Sequence, residues 1–156
     1  MLEINEGLIR ETIKNALSAR RKGNHPFGAL LAGPDGEVLL QAENTVVTSR
    51  DVTAHAELNL IRKASAQFDP GFLAQCTLYT SAEPCPMCAG AIFWSNIRRV
   101  VFGLSEKGLY EFIPGESDEE LVLPCREVFA RGKKSIKVIG PLLENEARKP
   151  HQGFWK

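Results

Sequence analysis

The first part of the chain has the spacing of apolar residues that an α-helix requires. Between residues 4 and 21, isoleucine, leucine and alanine recur three or four positions apart, which places them on one face of a helix. From Pro26 to Asn44 the pattern changes to two apolar runs joined by the sequence Gly-Pro-Asp-Gly. Apolar runs on either side of such a turn are typical of a β-hairpin. We therefore predict a helix over Ile4–Arg21, followed by two antiparallel strands.

Strands and helices alternate in the rest of the predicted structure. After a polar loop, Thr53 is expected to cap a second helix. Residues 105–123 are expected to form a loop, and the tail after Gly140 is polar up to its aromatic end. Further strands are predicted at CTLYTS, RRVVFGL and SIKVIG, and further helices at PMCAGAIFWSN and CREVFARG. This order predicts one domain over residues 1–156 with an α/β fold, in which a mixed five-stranded sheet is flanked by helices in a three-layer α/β/α arrangement.

The charge balance argues against a protein that binds nucleic acid through a basic surface. Lysine and arginine together number 19, and so do aspartate and glutamate, whereas nucleic-acid-binding proteins usually have a basic excess or a basic stripe. The chain has no apolar leader of the kind found in signal peptides, and no run approaches the roughly 20 apolar residues of a membrane span. We therefore expect a cytoplasmic protein that does not interact with a membrane.

Cysteine spacing is the first indication of a metal site. Cys85 and Cys88 form a C-x-x-C pair at the predicted start of a helix, whereas Cys76 and Cys125 stand alone. Disulfides are rare in the cytoplasm, where closely spaced cysteines more often bind metal. The positive end of a helix also favours the thiolate form that binds metal. The two isolated cysteines are expected to be buried and chemically inert.

His55 and Glu57 supply what a C-x-x-C pair lacks for catalysis. A catalytic zinc site has three protein ligands and a water molecule, whereas a structural zinc site has four protein ligands. His55 is a suitable third ligand, and Glu57, two residues further along, is close enough to exchange protons with water on the metal. We therefore predict one Zn²⁺ per chain, bound by His55, Cys85 and Cys88, with Glu57 as the catalytic acid and base. A purely structural zinc site, or a buried histidine and cysteines without metal, leaves Glu57 without a purpose.

The order of these residues matches a known signature. The chain reads "HAE" at residues 55–57 and "PCPMC" at residues 84–88, and H-x-E followed by P-C-x-x-C is the signature of zinc deaminases that act on nucleobases. The segment from Pro26 to Leu104 resembles the cytidine/deoxycytidylate deaminase-like zinc deaminase superfamily. Its flanks "HPFGALLA" and "LYTSAEPCPMCAGAIFW" are most similar to small bacterial guanine deaminases. Bacterial tRNA-specific adenosine deaminases come next, and "RRVVFG" is more similar to theirs.

The resemblance implies where a base would bind. By position, Asn44 and the backbone N–H of Ala56 would hold a polar edge of the base, and an asparagine amide suits this role because it both donates and accepts. Phe27 and Trp94 would stack on the two faces of the ring. Guanine deaminases also carry an acid after the last strand of the motif. Six acidic residues between positions 106 and 120 are equivalent candidates for it here.

Hydrolytic deamination of a nucleobase or nucleoside, with release of ammonia, is the activity that the resemblance implies. Conversion of guanine to xanthine, a step of purine metabolism, is the reaction we expect first. A tRNA-specific adenosine deaminase and a cytosine or cytidine deaminase are the alternatives, and a zinc-bearing RNA-binding module is the alternative without catalysis. The zero net charge favours a small-molecule substrate over tRNA, since affinity for RNA depends on neutralising phosphates.

Two further expectations concern exposed apolar residues. Phe154 and Trp155 stand just before the last residue and are costly to leave in water, so they are expected to cover a pocket or a neighbouring subunit. The predicted helix Pro86–Asn96 is apolar on several faces, which is typical of a helix buried on all sides. A domain of this size has little interior to bury it. Together with the resemblance to dimeric and tetrameric deaminases, this predicts a homodimer.

Overall fold

A single mixed sheet forms the centre of the computed structural model, which describes residues 3–156. The strands are Gly28–Ala32 (β1), Val38–Glu43 (β2), Thr77–Ala82 (β3), Arg99–Leu104 (β4) and Lys137–Ile139 (β5). Their order in the sheet is β2-β1-β3-β4-β5. β1 pairs antiparallel with both β2 and β3, whereas β3, β4 and β5 run parallel. This confirms the predicted five-stranded mixed sheet.

Helices cover both faces of the sheet, as the three-layer prediction requires. They are Glu6–Arg21 (α1), Val46–Ser49 (α2), Ala56–Gln67 (α3), Pro70–Leu73 (α4), Pro86–Ser95 (α5), Glu106–Tyr110 (α6), Cys125–Ala130 (α7) and Glu144–Arg148 (α8), with a 3-10 turn at Lys149–His151. On one face, α1 packs against β1 and β3, and α8 packs against β4. On the other face, α3 packs against β1 and β2 and also against α5, which in turn contacts α7.

The alternation of side chains along each strand divides the core between these two layers. Leu30 of β1 packs with the α1 side, while its neighbour Leu31 packs with the α3 and α5 side. In β4, Val101 and Val100 divide in the same way. Successive side chains of a strand point to opposite faces, so strands that are apolar at every position are buried on both sides. Cys76 and Cys125 lie buried and unbridged in the α3 and α5 side of the core, as expected.

The strand directions bring several chain segments to one edge of the sheet. The start of β1 pairs with the end of β2, through Gly28 and Glu43, and the ends of β3 and β4 pair through Ala82 and Leu104. Because β1 is antiparallel to β3, its start lies at the same edge as the end of β3. The segments that enter α3, α5 and α6 all leave this edge. Ligands of open α/β sheets bind outside the carboxyl ends of the strands.

The structure differs from the predicted elements mainly in the loops. Thr53 does not cap α3: its hydroxyl and N–H donate to Asp51, and the residue at the cap position is His55. The predicted loop 105–123 contains α6, whose first turn is capped by the Ser105 hydroxyl, and the polar tail contains α8 and the 3-10 turn. Short helices held by a single capping contact and by tertiary packing leave little periodicity in a sequence. Over residues 3–156, no helix has both the length and the apolar character to cross a bilayer.

Candidate active site

His55, Cys85 and Cys88 meet at the sheet edge described above. The three potential ligand atoms all lie within 4.8 Å of one another. Nδ1 of His55 is 3.6 Å from Sγ of Cys85 and 3.5 Å from Sγ of Cys88. The structure therefore brings together the three residues that the sequence pattern selected, and it identifies Nδ1 as the imidazole nitrogen that faces the sulfurs.

Two helix starts hold these ligands in place. His55 is the N-cap residue of α3 and Cys85 the N-cap residue of α5, and neither side chain is used for capping. Proline at the first helical position, Pro86, suits the start of α5 because its ring fixes the backbone angle that a helix needs. Cys88, on the first turn of α5, then lies on the same side as Cys85. Positive helix ends favour thiolates, so the fold places the ligands where metal-binding forms are stabilised.

Protonation within this group is coupled. Hydrogen bonds from Cys88 and His55 lower the pKa of Cys85 to about 4. The hydrogen bond to Cys85, with burial, raises the pKa of Cys88, and the contact with Cys85 also raises the pKa of His55. The pair of cysteines thus shares one proton between one thiolate and one thiol. A divalent cation would displace that proton, since metal binding requires deprotonated cysteine and neutral histidine.

The spacing of the donors fits zinc. Zn–S bonds of about 2.3 Å and Zn–N bonds of about 2.0–2.1 Å, at a tetrahedral angle, separate a sulfur ligand and a nitrogen ligand by about 3.6 Å. The two observed separations are 3.6 Å and 3.5 Å. Two thiolates and one imidazole are also donors that zinc prefers. Three protein donors leave the fourth tetrahedral position for water, as in catalytic zinc sites.

Glu57 is buried beside the ligands on the first turn of α3, with 5% of its surface exposed. Burial, and then the negative charge of Cys85, raise the pKa of its carboxyl to about 7. A bound cation would lower this pKa again, because it favours the carboxylate. A carboxyl group whose pKa lies near the working pH can both accept and donate a proton, which is the role predicted for Glu57.

A cavity of about 450 Å³ opens beside this group. His55, Glu57 and Cys85 line one part of it. The segment before β1, the segments after β2 and β4, and the last two residues of the chain line the rest. This volume lies within the range of small-molecule sites, which is about 300–1,000 Å³. The other residues that line the cavity are His25, Phe27, Asn44, Glu83, Leu109, Tyr110, Ile113, Pro114, Ser117, Glu119, Trp155 and Lys156.

Asn44 and Phe27 lie in this cavity, and Ala56 lies next to it. The Asn44 side chain is buried and its Oδ1 accepts a hydrogen bond from the Val46 N–H at 3.0 Å. An asparagine held through its oxygen can still donate through its amide nitrogen. Ala56 is the first residue of α3, so its N–H has no carbonyl within the helix to bind and belongs to the groups that a helix start offers to a ligand.

Trp94 does not lie in the cavity, contrary to the expectation for this residue. It is 79% exposed and contacts Phe93 and Lys134 on the outer side of α5. The reason is helix geometry: Trp94 follows Cys88 by six residues, which corresponds to a rotation of about 240° around the helix axis. The aromatic side chain that lines the cavity next to Phe27 is Trp155, whose ring is 6.1 Å from that of Phe27 and tilted by 57°. The two rings therefore line the cavity together without forming a parallel sandwich.

The acids of the predicted loop 105–123 have different surroundings. Glu119 lines the cavity near His25. Glu111 pairs with Arg148 at 2.7 Å on the surface. Glu106 is buried and accepts from the Leu123 N–H at 3.2 Å, so it holds the loop in place. The structure thus distinguishes residues that the sequence left equivalent, and it places Glu119 among the residues that a substrate would contact.

Glu83 is a site residue that the sequence analysis did not single out. Its two carboxylate oxygens accept from the backbone N–H groups of Glu106 and Cys125, each at 2.9 Å. Glu83 thereby joins the segment before Cys85 to the starts of α6 and α7. The signal was its place in "EPCPMC", but the partners are about 20 and 40 residues away, which no local pattern reveals.

Comparisons with known proteins agree with this geometry. The family described as the cytidine and deoxycytidylate deaminase zinc-binding region matches residues 2–104. A probable cytosine deaminase of Schizosaccharomyces pombe is 42% identical over 151 residues, which cover 94% of this chain and 90% of the relative. The guanine deaminase of Bacillus subtilis is 41% identical over 112 residues, which cover 66% of this chain and 71% of the relative.

The fold comparison gives the same result. A solved structure from a study of tRNA:A34 deaminases has a TM-score of 0.73 and 29% identity, and the match covers 94% of this chain and 99% of the other. The relatives thus act on different substrates, while the matched region contains all three potential ligands and Glu57. The chain belongs to the zinc-dependent cytidine and deoxycytidylate deaminase family.

Proposed function

We propose that this deaminase acts on a free nucleobase, with guanine as the first candidate. The observation that carries the proposal is the position of Trp155 and Lys156, which line the cavity above Glu57 and His55. A wall made by the chain end narrows the cavity and excludes water. A detached ring fits such an enclosure better than a base attached to a folded RNA, and the zero net charge gives no long-range attraction to tRNA.

The proposed roles follow from the positions of the side chains. His55, Cys85 and Cys88 would hold Zn²⁺, which when bound would lower the pKa of water at the site to about 7. Hydrolysis breaks the exocyclic C–N bond and forms a C=O bond, so that one proton of water ends on a ring nitrogen and the other on ammonia. Glu57, which is buried and lines the cavity, accepts and delivers protons in these steps. Asn44 and the Ala56 N–H orient the base, and Phe27 packs against its ring.

Glu119 supports a purine substrate. Two protons must be transferred in each turnover, and Glu83 and Glu119 line the cavity besides Glu57. Both carboxylate oxygens of Glu83 already accept backbone hydrogen bonds. This residue occupies the region after β4 in which the resemblance to guanine deaminases implies a second proton carrier. Glu106 and Glu111 are engaged in structural contacts, so Glu119 is the acid from this region to which we assign the role.

Cytosine is the second candidate, and a different observation favours it. The match to the probable cytosine deaminase of S. pombe covers 94% of this chain and 90% of that relative, whereas the match to the B. subtilis guanine deaminase covers 66% of this chain. The similarity to the first relative therefore extends over more of the chain than the similarity to the second.

We also propose that two copies of the chain associate through α5. Met87 and Trp94 lie on its outer side and are 37% and 79% exposed, and Val52, just before α3, is 79% exposed. Exposed apolar side chains grouped on an apolar helix are typical of protein interfaces. The first turn of the same helix carries Cys88, so association through α5 would place the partner close to the active site.

The zinc site predicts a defined metal content. Purified protein is expected to contain about one equivalent of zinc, and Cys85→Ala should reduce this towards zero because two donors bind zinc weakly. Cys76→Ala is the matched control, since Cys76 is buried away from the site, and it should retain the metal. Metal analysis by mass spectrometry measures both. Retention of zinc in Cys85→Ala would contradict the ligand assignment.

Glu57→Gln should keep zinc and fold but lose activity. The amide has the shape of the carboxyl group but cannot accept and pass on a proton, and acid–base catalysis contributes about 10²–10⁴-fold to rates. The measurement is ammonia release under saturating substrate, with zinc content and thermal unfolding as controls. Activity within a few fold of the unmodified protein would remove Glu57 from the mechanism.

The substrate proposal predicts a ranking of specificity constants. Guanine, cytosine, guanosine, adenine and tRNA are offered separately, and kcat/KM is compared. The kcat/KM values of the free bases should exceed those of the nucleoside and tRNA, with guanine first, because the wall that contains Trp155 leaves less room for an attached ribose or RNA. Glu119→Gln should lower the turnover of guanine and leave the zinc content unchanged. A clear preference for tRNA would overturn the free-base proposal, and a preference for cytosine would select the second candidate.

The interface proposal predicts the mass of the protein in solution. Light scattering at micromolar concentration should give twice the chain mass of 17.2 kDa. Trp94→Glu should shift the protein to the monomer, because a charge would be buried on the apolar surface of α5. Val38→Glu is the matched control, since Val38 is also partly exposed but lies on β2 at the sheet edge. A monomer mass for the unmodified chain would refute the proposal.

A further inference from the structure

The last eight residues of the chain are held against α1 by one side chain. Nη1 of Arg20 donates to the backbone carbonyls of Pro150 at 2.8 Å and Gln152 at 2.6 Å. Its guanidinium carbon also lies 5.5 Å from the centre of the Phe154 ring. These contacts bring the tail back across about 130 residues of sequence and place its end at the cavity.

His151 belongs to this tail and lies at the centre of a group of aromatic side chains. It is 1% exposed, and its ring centre lies 5.2 Å from that of Phe27, 5.7 Å from that of Phe112 and 6.2 Å from that of Trp155. The imidazole and indole planes differ by 10°, and Nε1 of Trp155 lies 3.0 Å from Nδ1 of His151. The imidazole therefore contacts Phe27 and Trp155, two of the aromatic side chains that line the cavity.

The hydrogen bond to Trp155 fixes the protonation of His151. An indole N–H can only donate, so Nδ1 must accept and the imidazole must be neutral with its proton on Nε2. The surroundings favour this form: burial, and then the positive charges of Arg20 on α1 and Arg148 on α8, lower the pKa of His151 to about 4. Two other charged or titratable groups lie nearby. Glu111 forms an ion pair with Arg148, and the ring centre of His25 lies 5.6 Å from that of Trp155.

Nε2 of His151 gives the reason to assign this residue a role beyond packing. It is buried and has no hydrogen-bond partner among the residues that the structure describes. A buried N–H without a partner destabilises a protein, so an apolar side chain would fill this position better if packing were its only task. What an apolar side chain cannot supply is the acceptor for the Trp155 N–H.

We propose that His151 is a positioning residue that fixes the orientation of Trp155 in the wall of the base-binding cavity, by holding the indole through Nδ1 and packing against Phe27. This inference rests on the proposed function, since the orientation of Trp155 matters for a base bound in this cavity. His151 itself does not line the cavity. Its effect reaches the substrate only through the orientation of the indole ring.

The test compares His151→Leu, His151→Asn and Trp155→Phe, each with guanine and cytosine as substrates. His151→Leu should raise KM by about 3- to 10-fold, which corresponds to one net hydrogen bond, with kcat within about twofold and no loss in melting temperature. His151→Asn offers an amide oxygen near the position of Nδ1 and should restore most of the KM. Trp155→Phe removes the donor, so adding His151→Leu to it should change KM little further.

A second readout does not depend on activity. The chain has two tryptophans, so in a Trp94→Phe background the fluorescence reports on Trp155 alone. In that background His151→Leu should shift the emission to longer wavelength and make the tail more accessible to carboxypeptidase, whereas His151→Asn should not.

The outcomes separate the positioning role from the proposed function. If no base is turned over by the unmodified protein but the emission shifts as expected, the proposed function fails and His151 still positions Trp155. If bases are turned over while KM and emission are unchanged in His151→Leu, the positioning role is refuted. A lower melting temperature with kcat reduced and KM unchanged would also refute it, because that result describes a purely structural residue.

Discussion

The meeting of two helix starts at one sheet edge is the constraint on which the rest of the site depends. α3 begins at His55 and α5 begins at Cys85, and their donor atoms must lie within a few ångströms of each other to bind one metal ion. Backbone contacts between the end of β2 and the start of α3 hold the first of these positions: the Thr45 N–H donates to the Ala54 carbonyl, and the Asn59 side chain donates to the Glu43 carbonyl. The second position, the start of α5 at Cys85, follows closely after the end of β3 at Ala82.

The electrostatics of the site follow from this crowding. Two sulfurs, an imidazole and the carboxyl group of Glu57 share a small buried volume, so they cannot all adopt the charges they have in water. Without a metal ion, some of these groups are favoured in their protonated forms: the pKa of Cys85 is lowered, whereas the pKa values of Cys88 and Glu57 are raised. A dipositive ion resolves it differently, since it stabilises both thiolates and the carboxylate. The same burial that makes the site costly without metal makes it selective for a divalent cation.

The sequence predicted the metal group and most of the sheet because both depend on local patterns. "HAE" and "PCPMC" each place their donors at one helix start, and the apolar runs of β1, β3 and β4 are unmistakably buried. Trp94 was assigned wrongly because a resemblance carries positions in the sequence but not the rotation of a residue around its helix. Glu83 stands in "EPCPMC", but its partners lie far along the chain. Glu119 was one of six acids that the sequence left equivalent, and its place in the cavity distinguishes it. His151 gave no sequence signal, because its packing against Phe27 joins distant parts of the chain.

Access to the site depends on a part of the molecule that is held quite differently from its chemical centre. The potential zinc ligands and Glu57 lie at the starts of helices packed against the sheet. Trp155 is held by one hydrogen bond from its ring, by ring contacts and by the two hydrogen bonds from Arg20 to carbonyls of the tail. Segments with few buried contacts open locally at a small fraction of the free energy of global unfolding. We therefore expect the tail to open more readily than the helices that carry the metal-binding residues. Such opening would admit the base that we propose as substrate without disturbing the geometry that its chemistry needs.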